Sequence, residues 1–240
     1  MHSRNTTNIT GKNTEEYSFV IVSAGVGRRM RSLGPKSLLK LTDRGLTIIE
    51  NQINIIKDCF SRPEIVLVTG FESDKVMKNT PEDIIKIENE NYETTNNLRS
   101  IGIGLRGATR DKVVVIYGDT VFNKELFYGV NLSCSSLIVE TEEDNYMARN
   151  EIGCNVAEGM VQYLLPDVKN KWAQVAYFEG KELEIFRKIC WSRRKFQCYG
   201  FEAINETIDK GGRFKAVSPR GMKVMDVDSS KDLAIARELI

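Results

Sequence analysis

The sequence predicts an α/β fold: a mainly parallel, mixed sheet flanked by helices in a single domain. Short, nearly continuous apolar runs recur along the chain, and segments with apolar residues at helical spacing lie between them. Composition supports this, since 240 residues with 41% hydrophobic and 28% charged side chains are ordinary for a globular chain with one sizeable core.

Residues 1–16 are polar and rich in Asn and Thr and read as a disordered tail, which leaves 17–240 as the domain. The first strand is expected at Phe19-Val20-Ile21-Val22. Similar runs follow at Ile65–Val68, Val113–Ile116 and Leu137–Val139, each with the unbroken apolar character of a strand buried on both faces. Between them, Ile49, Ile53, Ile56 and Phe60 share one helical face. Residues 97–108 and 231–240 also read as helices, the last with Ser229 or Ser230 as N-cap. Alternating strands and helices imply a Rossmann-like, doubly wound sheet. Residues from about 140 to 200 are less regular, and about 140–220 reads as a subregion facing the acceptor substrate.

Charge and composition exclude several function classes. Lys plus Arg number 34 against 33 Asp plus Glu, so no basic surface for nucleic acid is expected. No apolar run approaches the ~18 residues a bilayer requires, and the first residues lack the apolar core of a signal peptide. No membrane partner and a cytoplasmic location are therefore expected. Cys59, Cys134, Cys154, Cys190 and Cys198 form no CxxC pair and read as buried, reduced thiols. The only histidine is His2, in the polar tail. Histidine-based nucleophilic catalysis and histidine metal sites are thereby excluded. Carboxylates, Lys, Arg, backbone amides and an oxygen-ligated metal remain.

The most distinctive segment directly follows the first strand: Val22-Ser23-Ala24-Gly25-Val26-Gly27-Arg28-Arg29-Met30, then Gly34-Pro35-Lys36. Small residues and Gly27 let the backbone come close to a ligand and expose its amides. Arg28, Arg29, Arg31 and Lys36 suit a polyphosphate. A dinucleotide fingerprint would need Gly where Met30 stands, and a Walker loop would not have Pro35 before Lys36. A surface turn with solvated arginines is the remaining alternative. Two carboxylates stand out as metal ligands. Asp119 follows a strand and Gly118, at the carboxyl end where open α/β sheets bind ligands; it reads equally as an ordinary turn residue. Asp228 precedes the last helix and would share a strand face with Asp226; helix capping explains it as well.

These segments together resemble the sugar-nucleotidyltransferase-like superfamily, whose first motif runs roughly LAAGxGxRM, a spacer, then PKxLxxL. Here the residues are VSAGVGRRM, RSLG and PKSLLKL, with Ser23 for the usual alanine. GDTVF resembles the superfamily's GD segment, and DVDSSKDL its terminal segment, whose alignment selects Asp228 rather than Asp226. The resemblance covers residues 18–130 and 222–240. It implies an enzyme that joins a nucleoside monophosphate from an NTP to a phosphorylated metabolite. In that reading Ser23, Ala24, Gly25 and Gly27 bind the nucleotide, Arg29 and Lys36 are catalytic, Arg28 is solvated, and Asp119 and Asp228 hold Mg²⁺.

Asn91 to Ile101 resembles the N-x-x-Y-x-x-x-N-N-x-x-S-L pattern of choline-phosphate, inositol-phosphate and phosphonate cytidylyltransferases, and Val68-Thr69-Gly70-Phe71 their IVxGY turn. This favours CTP, with Gly70, Asn97 and Ser100 at the nucleotide; Asn and Ser also suit helix capping there. The expected partners are CTP and a small phosphate or phosphonate acceptor, and a homodimer is left open. Trp172, Tyr177, Phe178, Trp191 and Tyr199 suggest an aromatic cage for a quaternary ammonium, or else packing. Arg193-Arg194-Lys195 reads as a solvated run. Three alternatives are a sugar-1-phosphate uridylyl- or thymidylyltransferase, a molybdopterin-type guanylyltransferase and a non-catalytic nucleotide-binding regulator.

Overall fold

The structure is a computed structural model and describes residues 12–128, 130, 132–140 and 151–240. Its strands in chain order are β1 (Ser18–Ser23), β2 (Glu64–Thr69), β3 (Ile85–Glu88), β4 (Lys112–Tyr117), β5 (Thr120–Phe122), β6 (Ser136–Val139), β7 (Ile152–Ala157), β8 (Met160–Pro166), β9 (Trp172–Glu179), β10 (Phe214–Val217) and β11 (Val224–Asp226). The α-helices are α1 (Ile48–Cys59), α2 (Ser73–Lys78), α3 (Asn97–Gly107), α4 (Gly180–Cys190), α5 (Gly200–Asp209) and α6 (Ser230–Ala236).

Among the described residues, nine strands form one sheet in the order β3-β2-β1-β4-β9-β6-β10-β8-β7, and β11 pairs with β5 in a separate ribbon. The β3-β2-β1-β4 half is parallel. β9 runs antiparallel to both β4 and β6, which makes the sheet mixed as expected. Alternation along each strand feeds two cores. Val20, Val22, Val66 and Val68 pack with Leu98, Ile101 and Leu105 of α3. Phe19, Ile21, Ile65 and Leu67 pack with Ile49, Ile53 and Ile56 of α1. Helices on both faces are the doubly wound arrangement.

The helix expected from Ile49 to Phe60 is α1, opened by a capping box in which Thr47 and Glu50 satisfy each other's backbone amides. Ser229 is the N-cap of α6, its hydroxyl accepting from the Asp232 amide. Of the region read as less regular and acceptor-facing, the described residues 151–220 are in fact regular: they hold β7, β8, β9, α4, α5 and β10. The predicted tail lies, for residues 1–11, outside the described residues. Residues 12–16 lie against the domain, with Asn13 bridging to Phe60 and donating its amide to the Cys59 carbonyl at 2.8 Å. Cys59, Cys154 and Cys190 are buried as expected, but Cys134 is exposed and Cys198 half-buried, both lying on connecting segments rather than in the sheet.

α3 approaches the sheet closely because Gly104 faces it. A Cβ there would overlap Cγ1 of Val20 and come 3.0 Å from Cγ2 of Val68. Gly104→Ala should therefore lower stability by about 1–3 kcal/mol through overpacking, read as a reduced urea midpoint. An unchanged or raised midpoint would contradict this packing.

Candidate functional site

The chain runs outward through β1, β2 and β3, then returns to place β4 on the other side of β1. The gap between the carboxyl ends of β1 and β4 is thus a topological switch point, where open α/β sheets bind ligands. A cleft of about 250 Å³ lies there. Its lining includes Ser23, Ala24, Gly25 and Gly27 of the first loop, Lys36, Asn97, Ser100 and Asp119, all singled out in the sequence. It also includes Ser37, Tyr92, Thr95, Asn96 and Gly118, which fall within the matched motifs without an assigned role, and Tyr117.

The loop after β1 keeps its open course because of two glycines. Gly25 has nothing within 4 Å of an added Cβ, so its backbone borders open space. Gly27 is left-handed (φ 58°, ψ 54°), and the aliphatic stem of Lys36 packs where its Cβ would be, with Cγ at 3.1 Å. The loop is braced from behind by Ser37, whose Oγ accepts from Ser23 Oγ at 2.7 Å. Gly70 lies behind the loop rather than in the cleft lining: a Cβ would meet the Ala24 carbonyl at 2.7 Å and Tyr92 Cβ at 2.8 Å. The Phe71 amide donates to the same carbonyl at 3.1 Å.

Asp119 and Asp228, far apart in sequence, meet through the β5–β11 ribbon. Asp226 pairs with Thr120, and the Val227 amide donates to the Asp119 carbonyl at 3.0 Å. The two carboxylates converge on one ammonium: Lys36 Nζ donates to Asp119 Oδ2 at 2.9 Å and to Asp228 Oδ1 at 2.5 Å. Arg29 Nη2 donates to Asp228 Oδ2 at 2.6 Å from an exposed position at the rim. Arg28 is exposed, as expected. Burial works against charge on Lys36, but Asp119 and Asp228 outweigh it and raise its pKa. Burial likewise opposes ionisation of Asp228, yet Lys36 and Arg29 hold its carboxyl below the usual carboxylate range.

Asp226 does not share the face of Asp228, because β11 ends at Asp226 and the alternation stops there. Its carboxylate instead accepts from Gln174 at 2.5 Å and Thr120 at 3.2 Å, with Lys171 at 3.9 Å. Burial pushes its pKa up to about 7.

At the other end of the cleft, Asn96 is the N-cap of α3. Asn97 borders the cleft while its Oδ1 accepts from the Gly200 amide at 2.8 Å, tying α3 to α5. Ser100 Oγ accepts from Asn89 Nδ2 at 3.0 Å. The aromatic cage does not form. Alternation along β9 sends Trp172 and Phe178 into one core and Tyr177 into the other. Trp191 and Tyr199 are exposed, engaged by Arg106 and Phe201 respectively. Arg193, Arg194 and Lys195 form a turn with no buried side chain.

Two converging carboxylates beside a phosphate-sized cleft suit a divalent cation that takes its remaining oxygens from phosphate and water. That Lys36 already bridges them shows they can share one cation. Among the described residues no cluster of three or more His, Cys, Asp or Glu is placed to hold a metal by itself, so substrate oxygens would be required. No helix among them is long and apolar enough to cross a membrane.

Residues 19–131 match the family model of the MobA-like NTP transferase domain. No curated protein sequence matches the chain. The fold is similar to that of a CTP:phosphocholine cytidylyltransferase from Streptococcus pneumoniae (TM-score 0.75, 17% identity, 93% of this chain and 98% of that one). It is also similar to an inositol-1-phosphate CTP transferase from T. maritima (0.74, 18%, 92% and 94%). A Bacillus anthracis protein assigned as a glucose-1-phosphate thymidylyltransferase is similar too (0.72, 13%, 93% and 94%). At such identities these likenesses establish the fold.

Because Asp228 is depressed in the folded chain, its stabilising contribution is full above about pH 4, the ordinary carboxylate pKa, and is lost as pH falls through the lower folded value. Removing the ammonium in Lys36→Met leaves burial opposed by Arg29 alone. The Asp228 carboxyl should then titrate at higher pH than in the wild type, followed by ¹³Cγ NMR. An unmoved titration would show that Lys36 does not set its charge.

Proposed function

We propose that this chain is a nucleotidyltransferase that moves CMP from CTP to a small phosphate or phosphonate metabolite and releases pyrophosphate, a reading supported by the match of residues 19–131 to the MobA-like NTP transferase domain. A phosphocholine-like compound, inositol phosphate or aminoethylphosphonate fits the acceptor role. The observation that carries the reading is the meeting of Lys36, Asp119 and Asp228 at one end of a cleft walled by the loop after β1. CTP is favoured by the Asn96-Asn97 corner bordering that cleft, and by two similar structures whose names specify CTP.

An acceptor phosphate oxygen attacks the α-phosphorus of CTP. The new oxygen–phosphorus bond forms as the bond to the β-phosphate oxygen breaks, and the electron pair leaves with pyrophosphate. The attacking oxygen is already anionic at neutral pH, so no general base is needed. This suits a chain whose only histidine is His2. The chain's own part is positioning and charge neutralisation. The loop amides at Gly25 and Gly27 border the triphosphate. Lys36, held charged by its two carboxylates, and Arg29 at the rim neutralise the phosphates as pyrophosphate departs. Mg²⁺, held by Asp119 and Asp228, would supply further charge neutralisation at the phosphates.

A second reading, a sugar-1-phosphate uridylyl- or thymidylyltransferase, draws support from the similarity to the Bacillus anthracis protein. The test is pyrophosphate release with Mg²⁺, each of the four NTPs being offered with phosphocholine, inositol phosphate, 2-aminoethylphosphonate and hexose 1-phosphates. Release with CTP and a non-sugar acceptor is expected. Release only with UTP or dTTP and a sugar phosphate would establish the second reading instead. Lys36→Ala and Asp119→Ala should each lower turnover by about 100-fold or more with unchanged circular dichroism. Wild-type turnover in either variant would overturn the assignment.

A further inference from the structure

The inner face of α1 is apolar, with Ile48, Ile49, Ile53 and Ile56 all at or below 1% exposure, yet it also carries Gln52 at 0%. An amide in such a place is costly unless its hydrogen bonds are made. Gln52 makes an unusual pair: Nε2 donates to the Tyr117 carbonyl at 2.9 Å and to the Thr120 carbonyl at 2.6 Å. Its Oε1 is buried and has no partner among the described residues. The side chain is therefore placed for its donor, at the expense of its acceptor.

Those two carbonyls bracket Gly118-Asp119. Tyr117 is the last residue of β4 and Thr120 the first of β5, so the two residues between them form the corner at which the chain leaves the large sheet for the ribbon. The corner's own backbone is tied at two further points. The Gly118 amide donates to the Val22 carbonyl at 2.8 Å, and the Asp119 carbonyl accepts from Val227. Gly118 fits because a Cβ there would meet Ser23 Cβ at 2.7 Å. Gln52 is a side chain that spans both sides of the corner, and it comes from the helix whose first amide, at Ile48, donates to the Leu39 carbonyl beyond Lys36.

We propose that Gln52 is a positioning residue for Asp119: it clamps the β4–β5 corner so that the carboxylate converges with Asp228 on one cation. This rests on the nucleotidyl-transfer reading for what Asp119 holds. Gln52→Met keeps the length of the side chain and removes the orphaned oxygen together with both donated hydrogen bonds. Asn51 supplies a matched comparison, since it is buried on the same helix and donates to the Phe122 carbonyl at 3.2 Å, beyond the corner. In Asn51→Leu a buried hydrogen bond is lost without releasing Asp119.

The test is Mn²⁺ binding to the full-length protein in the presence of CTP, read by electron paramagnetic resonance, with urea midpoints measured in parallel. Gln52→Met should bind Mn²⁺ about 10-fold or more weakly, as expected when a group supporting a metal ligand is lost, while Asn51→Leu stays near wild type. Gln52→Glu preserves the shape and, when protonated, serves one carbonyl instead of two; it should fall between and covers the case in which the Met variant does not fold. Wild-type affinity in the Gln52 variants would overturn the proposal. So would equal weakening in Asn51→Leu, which would reduce Gln52 to general packing. Failure of the wild type itself to bind Mn²⁺ with CTP would instead remove the metal role of Asp119, and this proposal with it.

Discussion

The site depends on keeping two carboxylates from different parts of the chain side by side. Asp119 and Asp228 repel each other unless a positive charge stands between them, and Lys36 supplies it from a mostly buried position. That single ammonium constrains its surroundings. Gly27 must be left-handed and bare of a side chain so that the Lys36 stem can lie across it. The β5–β11 ribbon must hold its register so that Asp228 arrives beside Asp119. Arg29 then shares the charge of Asp228 from the solvent side. Lys36 thus stands at the point where phosphate and metal charges would meet.

The sheet supplies the rigidity. β1 and β4 are flanked on both sides in the sheet and covered on both faces, so the loop after β1 and the corner after β4 spring from fixed supports. The loop after β1 and the corner after β4 are each braced by buried neighbours: Ser37 behind Ser23, Gly70 behind Ala24, Gln52 behind Asp119. This is the arrangement expected when positioning and electrostatics, rather than a proton-transferring residue, carry the chemistry.

How much was legible in the sequence follows from locality. The loop after β1, Lys36, Asp119 and Asp228 sit in short motifs, and strands buried on both faces announce themselves as apolar runs. β3, β7 and β8 do not, because exposed residues interrupt them, as in Ile85-Lys86-Ile87-Glu88. α4 does carry a sequence signal, since Leu183, Phe186, Ile189 and Cys190 share one helical face. The aromatic residues of β9 misled because a count of rings ignores the two-residue alternation that parts Tyr177 from Phe178. Asp226 and Asp228 misled for the opposite reason, since the alternation ended between them. Gln52 gains its meaning only from partners brought together by folding, and no local pattern marks it.

The most direct test of the account is a Mn²⁺ titration in the presence of CTP for the wild type, Asp119→Asn and Asp228→Asn. If the two carboxylates form one cation site with the nucleotide, the wild type gains a Mn²⁺ site on adding CTP, and either substitution alone removes it. Undiminished Mn²⁺ binding in either single variant would show that the two residues do not act on a common cation.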